Sequence, residues 1–262
     1  MSDTVLLDVT DGVATVTLNR PDGMNSLTVE AKVALNEAVG AVAADSRVRA
    51  LVLTGTGRAF CVGQDLREHA ALLEAGDPAP LSTVSKHYNP LVTALAALPF
   101  PTIAAINGTA AGAGLGLACA LDLRIGAVGA RYTTAFAGIG LTADSGLSWS
   151  LPRLVGAGRA TALLLLAEPF TAEQALEMGL LNMAVAPEQV LPVAQELAAR
   201  LAAGPTAAYA CIKESLRFAS DSTLIDALAK EDELQTRAGQ TSDHAGAVRA
   251  FLAKQPPVFE GH

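Results

Sequence analysis

At 262 residues, 51% hydrophobic and 17% charged, the chain can fill a substantial core, as one large domain or as one domain with an appendage. Its net charge of −8 works against nucleic acid as a partner, because that affinity rests on neutralising phosphates, and its low aromatic content argues against an aromatic-rich sandwich or barrel. Cys61, Cys119 and Cys211 are widely spaced with no CxxC pair, which argues against a disulfide framework or a zinc site and fits a reducing compartment.

In chain order, "VLLDVTDGVATVTLNRP" predicts two strands around an Asp11-Gly12 turn, a DG pair between β-rich runs being a strong hairpin signal. Thr28 is placed to cap a helix running to about Ala43, with Val33, Leu35 and Val39 among its apolar positions. "ALVLTG" (50–55) and "PTIAAING" (101–108) read as short buried strands, each followed by a glycine-bearing turn and a helix, near 65–75 and 113–121. Asp65 with Glu68 three residues later resembles a capping box at the first of these helices. "DLRIGAV" and "RYTTAF" predict a second strand pair, ahead of a helix in "GLSWSLPRLVG". Strands thus alternate with helices, the pattern of an α/β fold.

From His87 to Leu121, 35 residues, there is no Asp, Glu, Lys or Arg. A bilayer is spanned by about 20 apolar residues, but Pro99, Pro101, Asn107 and the glycines at 108, 112, 114 and 116 would suit lipid poorly. A buried core with no membrane partner is expected. With no basic region and apolar run at the start, the chain is expected to be cytoplasmic. After about Pro187 helical patterns follow almost without strands, at 188–203, 206–218, 223–238 and 242–254, the last capped by Ser242 or Asp243. The expected division is a core over 1–187 and a helical region over 188–262 that packs on the core or on another subunit.

Within the uncharged stretch, "GAGLG" is spaced G-x-G-x-G rather than as the dinucleotide fingerprint G-x-G-x-x-G. Taken alone, it reads first as close helix packing.

Five motifs in order, "LNRPDGMNSL" (18–27), "GRAFCVGQDLREH" (57–69), "PTIAAINGTAAGAGLGLACALDLRI" (101–125), "FTAEQALEMGLLNMAV" (170–185) and "FLAKQPPVFEG" (251–261), resemble the enoyl-CoA hydratase/isomerase, or crotonase, superfamily over nearly the whole chain. The resemblance implies a spiral of ββα units with a C-terminal helical trimerisation region, assembling as a homotrimer or a dimer of trimers. It also implies an acyl-CoA thioester substrate, with coenzyme A entering as part of that substrate and no separate cofactor. The thioester oxygen would be held by the backbone N–H groups of Gln64 and Ala113, with Gly112, Gly114 and Gly116 leaving room for its approach. Both amides fall at an expected helix start after a strand, where unpaired N–H groups and the helix dipole favour negative charge. By the same resemblance Arg67, Phe251 and Lys254 meet the nucleotide and phosphates of coenzyme A, Lys254 across a subunit boundary. Phe136, Leu141 and Trp149 are candidate acyl-pocket walls, with core packing the plainer role for Trp149.

Hydratases of the family use two glutamates, which would fall at Gly116 and Phe136. Neither residue can activate water or deliver a proton, so hydration is disfavoured. One carboxylate remains, Asp144 in "GIGLTADSGLSWSLPRLVG"; from Ile125 to Pro152 the only other formal charge is Arg131. An apolar setting raises a carboxyl pKa, which suits a group that takes and returns a proton. The arrangement resembles that of the phenylacetate-pathway ring isomerase and Δ3,Δ2-enoyl-CoA isomerases, so Asp144 is expected to shift a double bond. Its plainer role is an N-cap for a helix starting at Ser145. Alternatives are a 2-enoyl-CoA hydratase, a non-catalytic acyl-CoA-binding protein, and a dehalogenase-like enzyme with Asp144 as nucleophile and His87 as base.

Overall fold

The computed structural model describes residues 3–262, so the first two residues of the expected core lie outside it. β1 (Val5–Thr10) and β2 (Val13–Leu18) form the expected antiparallel hairpin; Asp11 and Gly12 both take positive φ, 50° and 80°, the two-residue turn whose twist matches the strands. Thr28 caps α1 (Val29–Ala44), its hydroxyl accepting the N–H of Ala31 at 3.2 Å. β3 (Ala50–Gly55), β4 (Ala59–Cys61), α2 (Leu66–Glu74) and α3 (Asn89–Ala97) follow.

The uncharged stretch is not one apolar rod. It divides into α3, β5 (Thr102–Ile106), β6 (Thr109–Ala111) and α4 (Ala113–Ala120). Among the described residues no helix is long and apolar enough to cross a membrane. β7 (Leu123–Ala127) and β8 (Arg131–Thr133) come next, then α5 (Leu147–Val155), α6 (Ala157–Leu166), β9 (Phe170–Thr171), α7 (Ala172–Glu177) and β10 (Met183–Val185).

Two sheets share these strands. One runs β1-β2-β3-β5-β7-β10 and the other β4-β6-β8-β9. Consecutive strands therefore leave for different sheets: β3, β5 and β7 join the larger, β4, β6 and β8 the smaller, and a helix closes each unit. This is the spiral of ββα turns of the crotonase fold. It corrects one detail of the sequence reading, because β7 and β8 do not pair with each other. β7 lies parallel between β5 and β10, while β8 lies between β6 and β9.

The C-terminal region holds α8 (Val190–Ala202), α9 (Thr206–Ala219), α10 (Leu224–Gly239) and α11 (Ser242–Leu252), close to the expected spans. α8 buries Val190, Ala194, Ala198 and Ala202, a stripe at four-residue spacing, against β2, β3, β5 and β7. α8 thus packs on the core, one of the two placements expected for this region. The later helices leave apolar side chains uncovered: Leu224, Ile225, Phe251 and Leu252 are each at least 75% exposed. The cap of α11 is Thr241, whose hydroxyl accepts the His244 N–H, rather than Ser242 or Asp243. Asp243 is buried and instead accepts the N–H groups of Glu260 and Gly261, holding down the tail.

α4 packs by its glycines. A Cβ on Gly114 would stand 2.2 Å from the Cys61 carbonyl oxygen, and one on Gly116 2.8 Å from Ser145 Cβ. Gly114→Ala forces α4 away from β4 and is expected to cost about 1–3 kcal/mol in urea denaturation; an unchanged midpoint would show that the contact yields freely.

Candidate active site

A cavity of about 120 Å³ opens between the starts of α2 and α4, the turn at 84–88 and the loop at 135–144. Leu66, Leu81, Val84, Phe136, Ile139 and Leu141 make most of its wall apolar.

Gln64 lies on the wall because its neighbours are engaged elsewhere. It forms an isolated parallel bridge with Leu27, in which Leu27 N–H donates to Gly63 C=O (2.7 Å) and Asp65 N–H to Leu27 C=O (3.2 Å). In a parallel bridge the residue between two such bonds turns its own N–H to the other side. Asp65 fixes this junction. It accepts the N–H groups of Arg67 and Glu68 as the cap of α2, and also the Ser26 hydroxyl at 2.8 Å. The expected reciprocal half of a capping box is absent; Glu68 instead accepts the Val29 N–H at the start of α1.

Ala113 opens α4, where the first amides have no carbonyl one turn back. Gly112 makes the corner with φ 51° and ψ −126°, its own N–H donating to Thr133 C=O. A Cβ on Gly63 would stand 3.1 Å from Ala113 N, so the two strand-to-helix junctions press together. Among the described residues neither the Gln64 nor the Ala113 N–H has an acceptor.

Asp144 lines the same cavity. The chain turns sharply after it, with Ser145 (φ 52°) and Gly146 (φ 72°) both left-handed; a serine held there stores strain of the kind found at functional sites. Its carboxylate accepts the Ser145 hydroxyl at 2.8 Å. Burial pushes its pKa above the ordinary carboxylate range, against the Ser145 bond and the nearby Lys32 charge. The alternative role as a helix cap is not realised: Gly146 is the cap residue of α5, and no side chain caps it.

Gly112, Phe136 and Leu141 line the cavity as expected; Gly114 and Gly116 do not, being spent on packing against Cys61 and Ser145. The close-packing reading of "GAGLG" therefore holds for Gly114 and Gly116, while Gly112 and Ala113 line the cavity. Arg67 is exposed on α2, and Phe251 and Lys254 are exposed at the far end of the chain without touching the cavity. Trp149 is neither a wall nor buried: it is 49% exposed with the Arg153 guanidinium 4.1 Å from its ring centre. His87 faces Thr83 at 3.1 Å and stays off the cavity, so it is not placed to act as the base of a dehalogenase-like site.

Sequence reasoning missed a polar group behind the wall. Lys32 is fully buried, its Nζ donating to Gln64 Oε1 (3.0 Å) and Thr83 Oγ1 (2.6 Å), and Tyr88 Oη donates to the same Gln64 oxygen at 2.6 Å. The available signal was a lysine inside the apolar stripe of a predicted helix, next to Ala31 and three residues before Leu35. His69 was also overlooked; it lines the cavity with a buried Nδ1 that has no partner among the described residues.

A family model for enoyl-CoA hydratase/isomerase matches residues 8–262. The chain belongs to this family. It is 43% identical over 263 residues, the whole of both chains, to 1,2-epoxyphenylacetyl-CoA isomerase of Escherichia coli K12. It is 42% identical over 259 residues, 98% of each chain, to a Rhodobacter capsulatus protein named as a probable enoyl-CoA hydratase. A Mycobacterium abscessus crystal structure, solved as a candidate enoyl-CoA hydratase/isomerase, superposes with a TM-score of 0.96 at 46% identity, covering 98% of this chain and all of that one. Hydratases and isomerases of the family thus stand side by side among the relatives.

Because its folded pKa is raised, ionised Asp144 weakens the fold above its unfolded pKa of about 3.9, and the weakening grows until the pH passes the folded pKa. Asp144→Asn is expected to melt higher than the parent at pH 7, with the gap closing below about pH 4. A lower melting temperature at pH 7 would mean that the carboxylate is stabilised where it lies.

Proposed function

We propose that the protein is an enoyl-CoA isomerase that moves a double bond along an acyl-CoA thioester by a 1,3-proton shift. Asp144 takes a proton from C2, the thioester oxygen gathers the resulting negative charge beneath the Gln64 and Ala113 N–H groups, and Asp144 returns the proton at C4. Donors of this kind are worth about 2.7–4 kcal/mol each in measured enzymes. One base suffices because the acceptor carbon lies on the same conjugated system as the donor carbon.

The observation that carries this reading is the closure of the place where a second carboxylate would stand. Any side chain at residue 116 would run into Ser145, and the other position holds the buried ring of Phe136. Hydration needs groups to orient water and to deliver a proton, and the cavity has one carboxylate, Asp144.

No cofactor is required on this reading, coenzyme A being part of the substrate. Arg67, Phe251 and Lys254 would meet its nucleotide end. The uncovered apolar side chains of α10 and α11 support assembly as a homotrimer or a dimer of trimers, which would bring Lys254 of one subunit to the cavity of the next.

A 3-enoyl-CoA and crotonyl-CoA separate the readings. The protein is expected to isomerise the first, with Asp144→Ala slowing it about 10²–10⁴-fold. Hydration of crotonyl-CoA that survives Asp144→Ala would make the protein a hydratase, and tight binding with no turnover of either thioester would make it a carrier.

A further inference from the structure

Lys32 is the single lysine of α1 and none of its surface reaches solvent. Burying an ammonium group costs several kcal/mol unless its charge is answered. Its direct partners are neutral: the Gln64 and Thr83 side-chain oxygens, with the Tyr88 ring centre 5.3 Å from Nζ. Burial pulls its pKa down, and only Glu68, Asp144 and Asp65, at longer range, push it back up. A cation held by neutral groups, with carboxylates just out of reach, acts on those carboxylates through its field.

Two of its relations converge on the candidate chemistry. The Gln64 carboxamide oxygen is clamped between Lys32 Nζ and Tyr88 Oη, which fixes the residue whose backbone N–H faces the cavity. Asp144 lines the same cavity; burial raises its pKa, while the Ser145 hydroxyl and, to a lesser degree, the Lys32 charge favour its carboxylate form. Other groups near Lys32 are Glu68 and Asp65 at the start of α2 and Tyr88 and His87 from the turn at 84–88; across the cavity from Asp144 stand His69 and Tyr88.

We propose that Lys32 is a positioning residue of the active site, clamping Gln64 from behind the cavity wall and stabilising by its charge the carboxylate form of Asp144 that removes the proton. The proposal rests on the isomerase reading of Asp144. It makes no contact between Lys32 and substrate necessary, so Lys32 acts on the rate and its pH dependence rather than on substrate affinity.

The test is the pH profile of kcat for 3-enoyl-CoA isomerisation in the parent, Lys32→Met, Lys32→Gln, Lys32→Arg and Asp144→Asn. Activity falls as pH drops through the Asp144 pKa, since the base must be ionised. Both neutral variants are expected to move this acid limb upward by a fraction of a pH unit, so that below it they turn over about two- to threefold more slowly than the parent, with KM little changed. Lys32→Arg keeps the limb near its original place. Carbon-13 titration of the Asp144 carboxyl in the free protein should show the same displacement. If Asp144→Asn retains full activity, the reading of Asp144 fails. If that variant is inactive while the limb and the titration of both neutral variants coincide with the parent, the Lys32 proposal alone is overturned. Failure of both neutral variants to fold would also overturn it, by making Lys32 a structural residue.

Discussion

The Asp144 carboxylate shares an apolar cavity with two backbone N–H groups that have no acceptor among the described residues, and such an arrangement is costly on both sides. A charge there loses part of its hydration, and an amide pointing into the cavity gives up a hydrogen bond within the protein. On the proposed reading, each becomes favourable when the acyl-CoA thioester brings what is missing: an oxygen that grows negative for the amides, and a carbon acid whose proton the carboxylate can hold. The surrounding structure persists in this unsatisfied state because the rest of the core is densely packed.

The spiral of ββα units is what makes the pairing of amides possible. From β3 onward each unit sends one strand to the larger sheet and the next to the smaller, then turns into a helix, so successive units place strand-to-helix junctions side by side. Gln64 and Ala113 occupy two such junctions. Close packing at Gly63 against Ala113 and at Gly114 against Cys61 sets their spacing, and Gly116 lets the loop that carries Asp144 descend onto α4. The same contact that brings the carboxylate to the cavity closes the site of another side chain. In this chain the position of Asp144 and the loss of a residue-116 carboxylate are one structural fact.

Much of this was legible in the residues. The hairpin at Asp11-Gly12, the Thr28 cap and the β-strands at 50–55 and 102–106 follow from turn chemistry and hydrophobic runs, which are local signals. The cavity-lining positions of Asp144, Gln64, Ala113 and Phe136 followed from motif resemblance. The parts that escaped are those set by tertiary contact. No local pattern shows that β7 and β8 part company, because a strand reads the same whichever sheet takes it. Gly114 and Gly116 look alike to Gly112 in sequence, yet only Gly112 faces the cavity. Lys32 lies far from Gln64 in sequence and meets it only because α1 packs behind the α2 junction. Trp149 looked like a core residue by type, and its exposure is decided by what α5 does not pack against.

The central claim is most directly tested by a crystal structure with an unreactive 3-enoyl-CoA analogue bound. The account predicts the thioester oxygen about 2.7–3.1 Å from both Gln64 N and Ala113 N, within oxyanion-hole range, with the Asp144 carboxylate on one face of the acyl chain beside C2 and C4. A thioester seated away from those amides, or a carboxylate turned out of reach of both carbons, would contradict it.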